Sequence, residues 1–432
     1  MASCLVLERP GRWRGAVVAL ALLALALPSV PLFTAGLGGS GDDLRSFAGA
    51  LSHSLSIAAW VFAISFSLGL PGGVATALYE YPLRRPLLAL ATLPPLIPPF
   101  LHSIGWSYLR AQSGGASACV VVFSAAMAPL VLLTAYGASR GLSRSMLDAA
   151  RLAGGEGAVL RAAIRAAAPW AALAAGFVGV LTLSDPGPGQ VFGVRTAASE
   201  ILTSFAAQYD FRLAAQQCLM LSAVVLACSV PLLWRAVPRL GAAAVARSTA
   251  SASPRPAGAI AWVSAAPLTV LVAGGLLAPL AGLAAPLIVS GGSASFVDQP
   301  HAGLVALWAY GEAMRTVGST VLYGFGAAAV SLAVALPWAL AVGRDRSLIS
   351  LSAGCSLGLL TLPSATAALG LARLGALAPS WADGLLRGRF AVCLALGLRL
   401  APLAVLLLLR GFAATAPSWT LAAALHAVSL SR

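Results

Sequence analysis

Residues 140–170 read RGLSRSMLDAARLAGGEGAVLRAAIRAAAPW, a polar and basic island in a chain that is otherwise apolar. Five arginines, Arg140, Arg144, Arg151, Arg161 and Arg165, stand around the run Asp148-Ala149-Ala150 and Gly154. Alanine favours helix and glycine interrupts it, so the stretch is expected to form a helix, a glycine break and a second helix. Hydrophobic runs flank it on both sides. The island is therefore the expected meeting point between a membrane protein and something soluble.

Of the 432 residues, 59% are hydrophobic and 9% charged, whereas about 25% of a soluble domain is charged. Windows of about 19 residues place apolar segments at 15–36, 51–78, 86–109, 117–137, 167–184, 213–234, 259–289, 317–342, 349–371 and 390–409. Each approaches or exceeds the roughly 20 residues a helix needs to cross the hydrocarbon. The expected fold is an all-α polytopic bundle of about ten transmembrane helices, with the lipid bilayer as its first partner.

The net charge of +14 comes from arginine alone, for the chain contains no lysine. Nucleic acid is the obvious partner for so basic a chain, but the charge is distributed by side of the membrane. With the N-terminus in the cytoplasm, the inner loops hold eighteen arginines against five acids, and the outer segments hold eight against eight. Arginine bias sets orientation, so 140–170 is expected in the cytoplasm, and nucleic acid is not expected as a partner.

The chain repeats itself. Leu70-Pro71 is echoed by Leu336-Pro337, Thr92-Leu93-Pro94 by Thr361-Leu362-Pro363, and Ala128-Pro129-Leu130 by Ala401-Pro402-Leu403, in the same order. This divides the chain into a first unit of six spans at 1–240, a basic Ser/Ala/Pro-rich cytoplasmic linker at 241–257, and a second unit of four spans at 258–432. An even number of spans makes the repeats parallel, which places a pathway between them near the midplane. The second unit stops in PSWTLAAALHAVSLSR, with Ala422 and Val428 where the first has Asp148 and Gly154, taking Leu421 as the counterpart of Leu147. Either two spans are lacking or the second loop has decayed.

Asp148-Ala149-Ala150, three residues, Gly154, nine residues and Ile164 resemble the coupling loop of ABC-importer permeases, written Glu-Ala-Ala-x3-Gly-x9-Ile-x-Leu-Pro. The duplication, the Leu-Pro pair of the second span, the Leu-Pro-Pro of the third and the segment from Glu200-Ile201 to Asp210 are similar to fused permeases of the iron(III) and thiamine uptake type. Two departures stand out: Asp148 replaces Glu, and Ala166-Ala167 replaces Leu-Pro, with proline at Pro169. The resemblance implies a type I importer permease fold and a cytoplasmic ATP-binding subunit docked on Asp148, Ala149, Ala150, Gly154 and Ile164. It also implies an extracytoplasmic solute-binding protein, and a substrate of iron(III) or thiamine type.

Two further side chains are candidates for the pathway. Asp185 opens a Pro/Gly-rich break after the fifth apolar segment, where an acid is a functional candidate but also an ordinary turn residue. Arg399 lies about ten residues into the last span, where a charge must face protein or water; it would line a pathway or pair with an acid of another span. The four histidines are scattered and suggest interfacial residues, and the cysteines show no metal-ligand spacing, so no metal is expected. No catalytic set is present. A phosphate-binding loop requires lysine after its glycines, so ATP and its hydrolysis belong to a separate partner chain and no cofactor is expected in this one. A gradient-driven secondary transporter is the rival reading, although few acids lie within the spans; a truncated, non-transporting remnant is the third.

Overall fold

The structure, a computed structural model, describes residues 12–36, 42–109, 114–245, 255–256, 261–290, 302–343 and 345–414. It is 89% helical, and its strands form one two-residue bridge among the described residues. Among the described residues, seven helices are long and apolar enough to cross a membrane, and up to nine if each of two sharply bent pairs counts as one span. The chain is a multi-pass helical membrane protein.

The helices are α1 (Arg12–Ala26), α2 (Val30–Gly36), α3 (Asp42–Leu78), α4 (Arg84–Leu90), α5 (Pro99–Leu109), α6 (Ala116–Arg140), α7 (Arg144–Leu183), α8 (Gly187–Val191), α9 (Ala197–Ala206) and α10 (Phe211–Val245). They continue as α11 (Ala261–Val272), α12 (Ala278–Ser290), α13 (Ala302–Val342), α14 (Arg346–Thr361), α15 (Ser364–Leu377), α16 (Asp383–Leu386) and α17 (Arg389–Ala414). The strands β1 (Tyr79–Glu80) and β2 (Arg255–Pro256) pair in parallel.

Three expected spans are not continuous helices. The segment 15–36 is broken by a 3-10 turn at Leu27–Ser29, where Pro28 and Pro31 lack the amide hydrogens that would continue the helix. Residues 84–96 and Pro99–Leu109 meet at 104°, and residues 347–361 and Ser364–Leu377 at 80°. The second bend falls on Leu362-Pro363. In the first, Thr92-Leu93-Pro94 opens a 3-10 turn at Pro94–Leu96 and the chain turns at Ile97-Pro98.

The helices form two compact units. One comprises Gly36–Leu232 and Ser248–Ala309, the other Met1–Ala35, Leu233–Arg247 and Tyr310–Arg432. These are not the linear halves, because each half places its first apolar segment in the other's unit. In the larger unit, α3, α6 and α7 enclose Val61, Val74, Phe123, Val131, Val159 and Val178. Ala163, Ala167, Ala171 and Ala175 line one face of α7 and are fully buried; a stripe of small residues lets neighbouring backbones approach closely. Leu268, Leu271 and Val272 of α11 pack there against Ala91, Ala128 and Leu132.

In the other unit, Ala21 of α1 joins Trp338, Val342, Ile349, Val405 and Leu409. Trp338 is fully buried and donates its indole N–H to Ser352 at 3.0 Å, which satisfies the one polar atom of a large apolar side chain.

Candidate functional site

The loop around Asp148 is built where α6 ends and α7 begins. The hydroxyl of Ser143 caps α7 by accepting the Met146 amide at 3.3 Å, so Asp148, five residues further in, is free for other partners. The helix runs to Ala153 and is interrupted at Gly154 (φ −172°, ψ 27°) and Gly155 (φ 65°, ψ −159°), then resumes through to Leu183. The expected helix, glycine break and helix are present. The motif glycine is extended, a conformation open to any residue. Its neighbour Gly155 holds the positive φ that side-chain-bearing residues avoid.

Arginines converge on Asp148. Arg151 lies 3.0 Å from Oδ1, Arg144 3.7 Å from Oδ2 and Arg255 3.4 Å from Oδ1. Arg151 also donates Nε to Glu156 Oε1 at 2.7 Å, across the glycine break. Glu156 accepts from the Tyr79 hydroxyl at 3.2 Å through its other oxygen. Burial, followed by the Glu156 charge, raises the Tyr79 phenol above its ordinary value. Tyr79 in turn pairs with Arg255 in the β1–β2 bridge, so the segment expected as an inter-unit linker is held to β1 by its backbone and to the loop by the Arg255 side chain.

The motif residues separate by face. Ala149 and Gly154 are exposed, whereas Ala150 and Ile164 pack on the core beside buried Leu147. The exposed side also carries Met146, Ala153 and Leu152, the last with 91% of its surface open. Sequence spacing did not single out Leu152, Arg151, Gly155, Glu156, Tyr79 or Arg255. Leu152 was visible as an apolar residue in a basic loop; the pairing of Arg255 left no local signal. The second loop's Leu421, Ala422 and Val428 lie outside the described residues.

The chain matches no protein-family model, no curated protein and no solved structure. The chemistry of the site therefore rests on its own geometry.

Asp185 follows the end of α7 and accepts the Gly187 amide at 2.8 Å, an Asx-type turn. Burial raises its carboxyl above the usual carboxylate range, and the Gly187 hydrogen bond opposes that shift. Gly187, Pro188 and Gly189 behind it are buried. The chain continues into α9, capped reciprocally by Thr196 and Ser199 and tied to α3 by the Ala197 amide on Ser54 at 2.8 Å. Arg195 grips Glu200 with two bonds of 2.7 and 3.1 Å.

Arg399 donates to the carbonyl of Leu362 at the α14–α15 bend. Of the two pathway candidates, Asp185 belongs to the larger unit and Arg399 to the other. His102, expected as interfacial, is fully buried. Its Nε2 lies 2.7 Å from the Gly275 carbonyl, and the Trp106 indole donates to Gly274 at 3.2 Å. Both carbonyls belong to a π-helical turn at Ala273–Leu277, where the widened backbone leaves acceptors for side chains. Close packing accompanies it: a Cβ at Gly282 would stand 1.8 Å from the Gly105 carbonyl oxygen. Among the described residues, no cluster of three His, Cys, Asp or Glu side chains could hold a metal ion.

Proposed function

We propose that the chain is the membrane-spanning permease subunit of an ATP-driven importer. A separate ATP-binding subunit docks from the cytoplasm on the loop around Asp148, and an extracytoplasmic solute-binding protein delivers the solute on the opposite side. One observation carries this reading. The helix at 144–153 is stopped by a glycine pair and presents Met146, Ala149 and Leu152 to solvent, while Leu147, Ala150 and Ile164 anchor it to the core.

A low face of alanine with one projecting leucine suits a shallow apolar groove on a soluble protein. The loop is also a lever. Beyond the break, α7 continues to Leu183 along its buried alanine stripe, so a displacement at Leu152 is passed into the bundle by a rigid element. Arg151, joined to Asp148 and Glu156 on either side of the break, keeps the two arms of the lever in one geometry.

The duplication supports the same reading. Two bent helix pairs at corresponding places and the exchange of first apolar segments are what two parallel permease units would produce. In that arrangement the N-terminus is cytoplasmic and the protein resides in the inner membrane, with iron(III) or a thiamine-like solute as the proposed cargo.

The test is purification of the tagged full chain from its own membranes in mild detergent, followed by ATPase assay and identification of co-purifying chains. An ATP-binding subunit is expected with the wild type and is expected to be lost with Gly154→Asp. Absence of any ATPase from the wild-type preparation, or unchanged association and ATP-driven uptake in Gly154→Asp, overturns the proposal.

A further inference from the structure

The second unit contains a cation in the middle of a span, and its surroundings form a small site. Arg399 is the eleventh residue of the 24-residue span Arg389–Phe412, roughly 15 Å along the helix from its start at 1.5 Å per residue. A charge at that depth is stable only against protein dipoles, water or a counter-ion. Among the described residues no carboxylate forms an ion pair with it. Its recorded partner is the Leu362 carbonyl.

That carbonyl is available because of the bend. Leu362 ends α14, and Pro363 after it interrupts the helix. The first turn of α15 closes on the next carbonyl, with the Thr366 amide on Pro363 at 3.0 Å. At the corresponding Leu93 the carbonyl accepts the Leu96 amide at 2.9 Å. In the Ala-Pro-Leu register the counterpart of Arg399 is Ala126, which is fully buried. The cation belongs to the second unit alone.

A guanidinium carries five N–H donors in a planar fork, and one is held by Leu362. Arg399 borders a cavity of about 50 Å³ lined also by Leu25, Ser29, Leu359, Thr366, Ala367 and Pro402, among others. The hydroxyls of Ser29 and Thr366 already donate to the carbonyls of Ala26 and Pro363, so among the residues that line the cavity Arg399 is the one with further side-chain donors. A water needs about 10–15 Å³ measured this way, so the cavity admits an acceptor group of a few heavy atoms. A planar fork in an apolar setting matches a carboxylate or oxyanion by paired, charge-assisted hydrogen bonds.

We propose that Arg399 and the cavity at the α14–α15 bend bind a small anionic group, a carboxylate or an oxyanion. The site takes up the charge of a group carried by a solute or of a free ion. It stands independently of the importer reading, because binding is measured without transport.

The experiment uses the full chain in nanodiscs of zwitterionic phosphatidylcholine, with thermal unfolding followed during separate titrations of acetate, sulfate, inorganic phosphate and chloride. Wild type and the exposed-surface control Arg315→Gln are expected to show a saturable rise in Tm with acetate, sulfate or phosphate. The apparent Kd is expected to be at least tenfold weaker in Arg399→Gln. Acetate alone identifies the carboxylate class, and sulfate or phosphate the oxyanion class. Equal shifts in all three proteins, a shift with chloride only, or no shift with any anion overturns the proposal. Ala367→Leu, which keeps the guanidinium and fills the cavity, covers the case in which Arg399→Gln does not fold. It is expected to weaken binding to a similar extent, and an unchanged shift in Ala367→Leu also overturns the site.

Discussion

Arg151 and Glu156 face each other across the Gly154–Gly155 break, with Nε 2.7 Å from Oε1, and the same guanidinium reaches back to Asp148 at 3.0 Å. One side chain thus joins the two helical arms where the backbone between them has least intrinsic preference. Arg151 is largely covered while both carboxylates are more than 40% exposed, so solvent screens much of the attraction. Arg151→Gln is expected to cost on the order of 1 kcal/mol locally. Hydrogen exchange of the amides at 146–157 is the check, and a rise of about fivefold is expected from that energy. Arg255→Gln removes one contact to Asp148 and is expected to have the smaller effect.

The glycine pair yields an order that the motif alone reverses. Gly155 combines φ 65° with ψ −159°, a region occupied almost entirely by glycine, and Gly155→Ala is expected to cost about 1–3 kcal/mol. Gly154 is extended, and a Cβ there would stand 3.1 Å from that of Ala158. Gly154→Ala therefore requires a shift of a few tenths of an ångström and is expected to cost less. Thermal unfolding and tryptic cleavage at Arg151 or Arg161 measure both; equal sensitivity of the two variants contradicts the assignment of the strained position.

His102 gives a third expectation. His102→Leu leaves the Gly275 carbonyl without its side-chain partner in an apolar interior, a loss of about 1–3 kcal/mol. The unfolding temperature in detergent is expected to fall, with part of the loss recovered in His102→Gln, which keeps an N–H donor. Trp106→Phe is expected to cost less, because its bond to Gly274 is longer and the side chain is only partly buried.

The fourth concerns pH. Burial raises the Asp185 carboxyl in the folded chain above its unfolded value, so the folded state holds the proton more tightly. Its contribution is therefore most favourable at acidic pH, and declines as pH rises through the unfolded and then the folded pKa. The Tm difference between wild type and Asp185→Asn, measured from about pH 4 to about pH 8, is expected to move against the wild type as pH increases. A flat difference shows that the carboxyl titrates alike in both states.

Much of this architecture was legible in the residues because its causes are local. Apolar runs of span length follow from what hydrocarbon demands of a backbone. The bends at Ile97-Pro98 and Leu362-Pro363 follow from proline's missing amide, and the interruption of α7 from adjacent glycines. The resemblance to a coupling loop also brought out Asp148, Ala149, Ala150, Gly154 and Ile164 as a group. It did not separate the residues that face solvent, Ala149 and Gly154, from Ala150 and Ile164, which pack inward, since the two sets differ in what surrounds them and not in type.

By itself, then, the sequence determined that this is a helical membrane protein, that a glycine break interrupts the helix after Asp148, and that a basic loop with an Asp-Ala-Ala run leaves the bundle after the fourth apolar segment. The tertiary structure alone decided that Gly155 carries the unusual φ, that Arg255 from a distant segment rests on Asp148, that His102 holds a π-helical carbonyl 173 positions away, and that each half's first segment joins the other's unit. The physical reason is range. Propensity and hydrocarbon transfer act on neighbouring residues and leave a pattern along the chain, whereas a contact between remote segments is selected by the packing of everything between them.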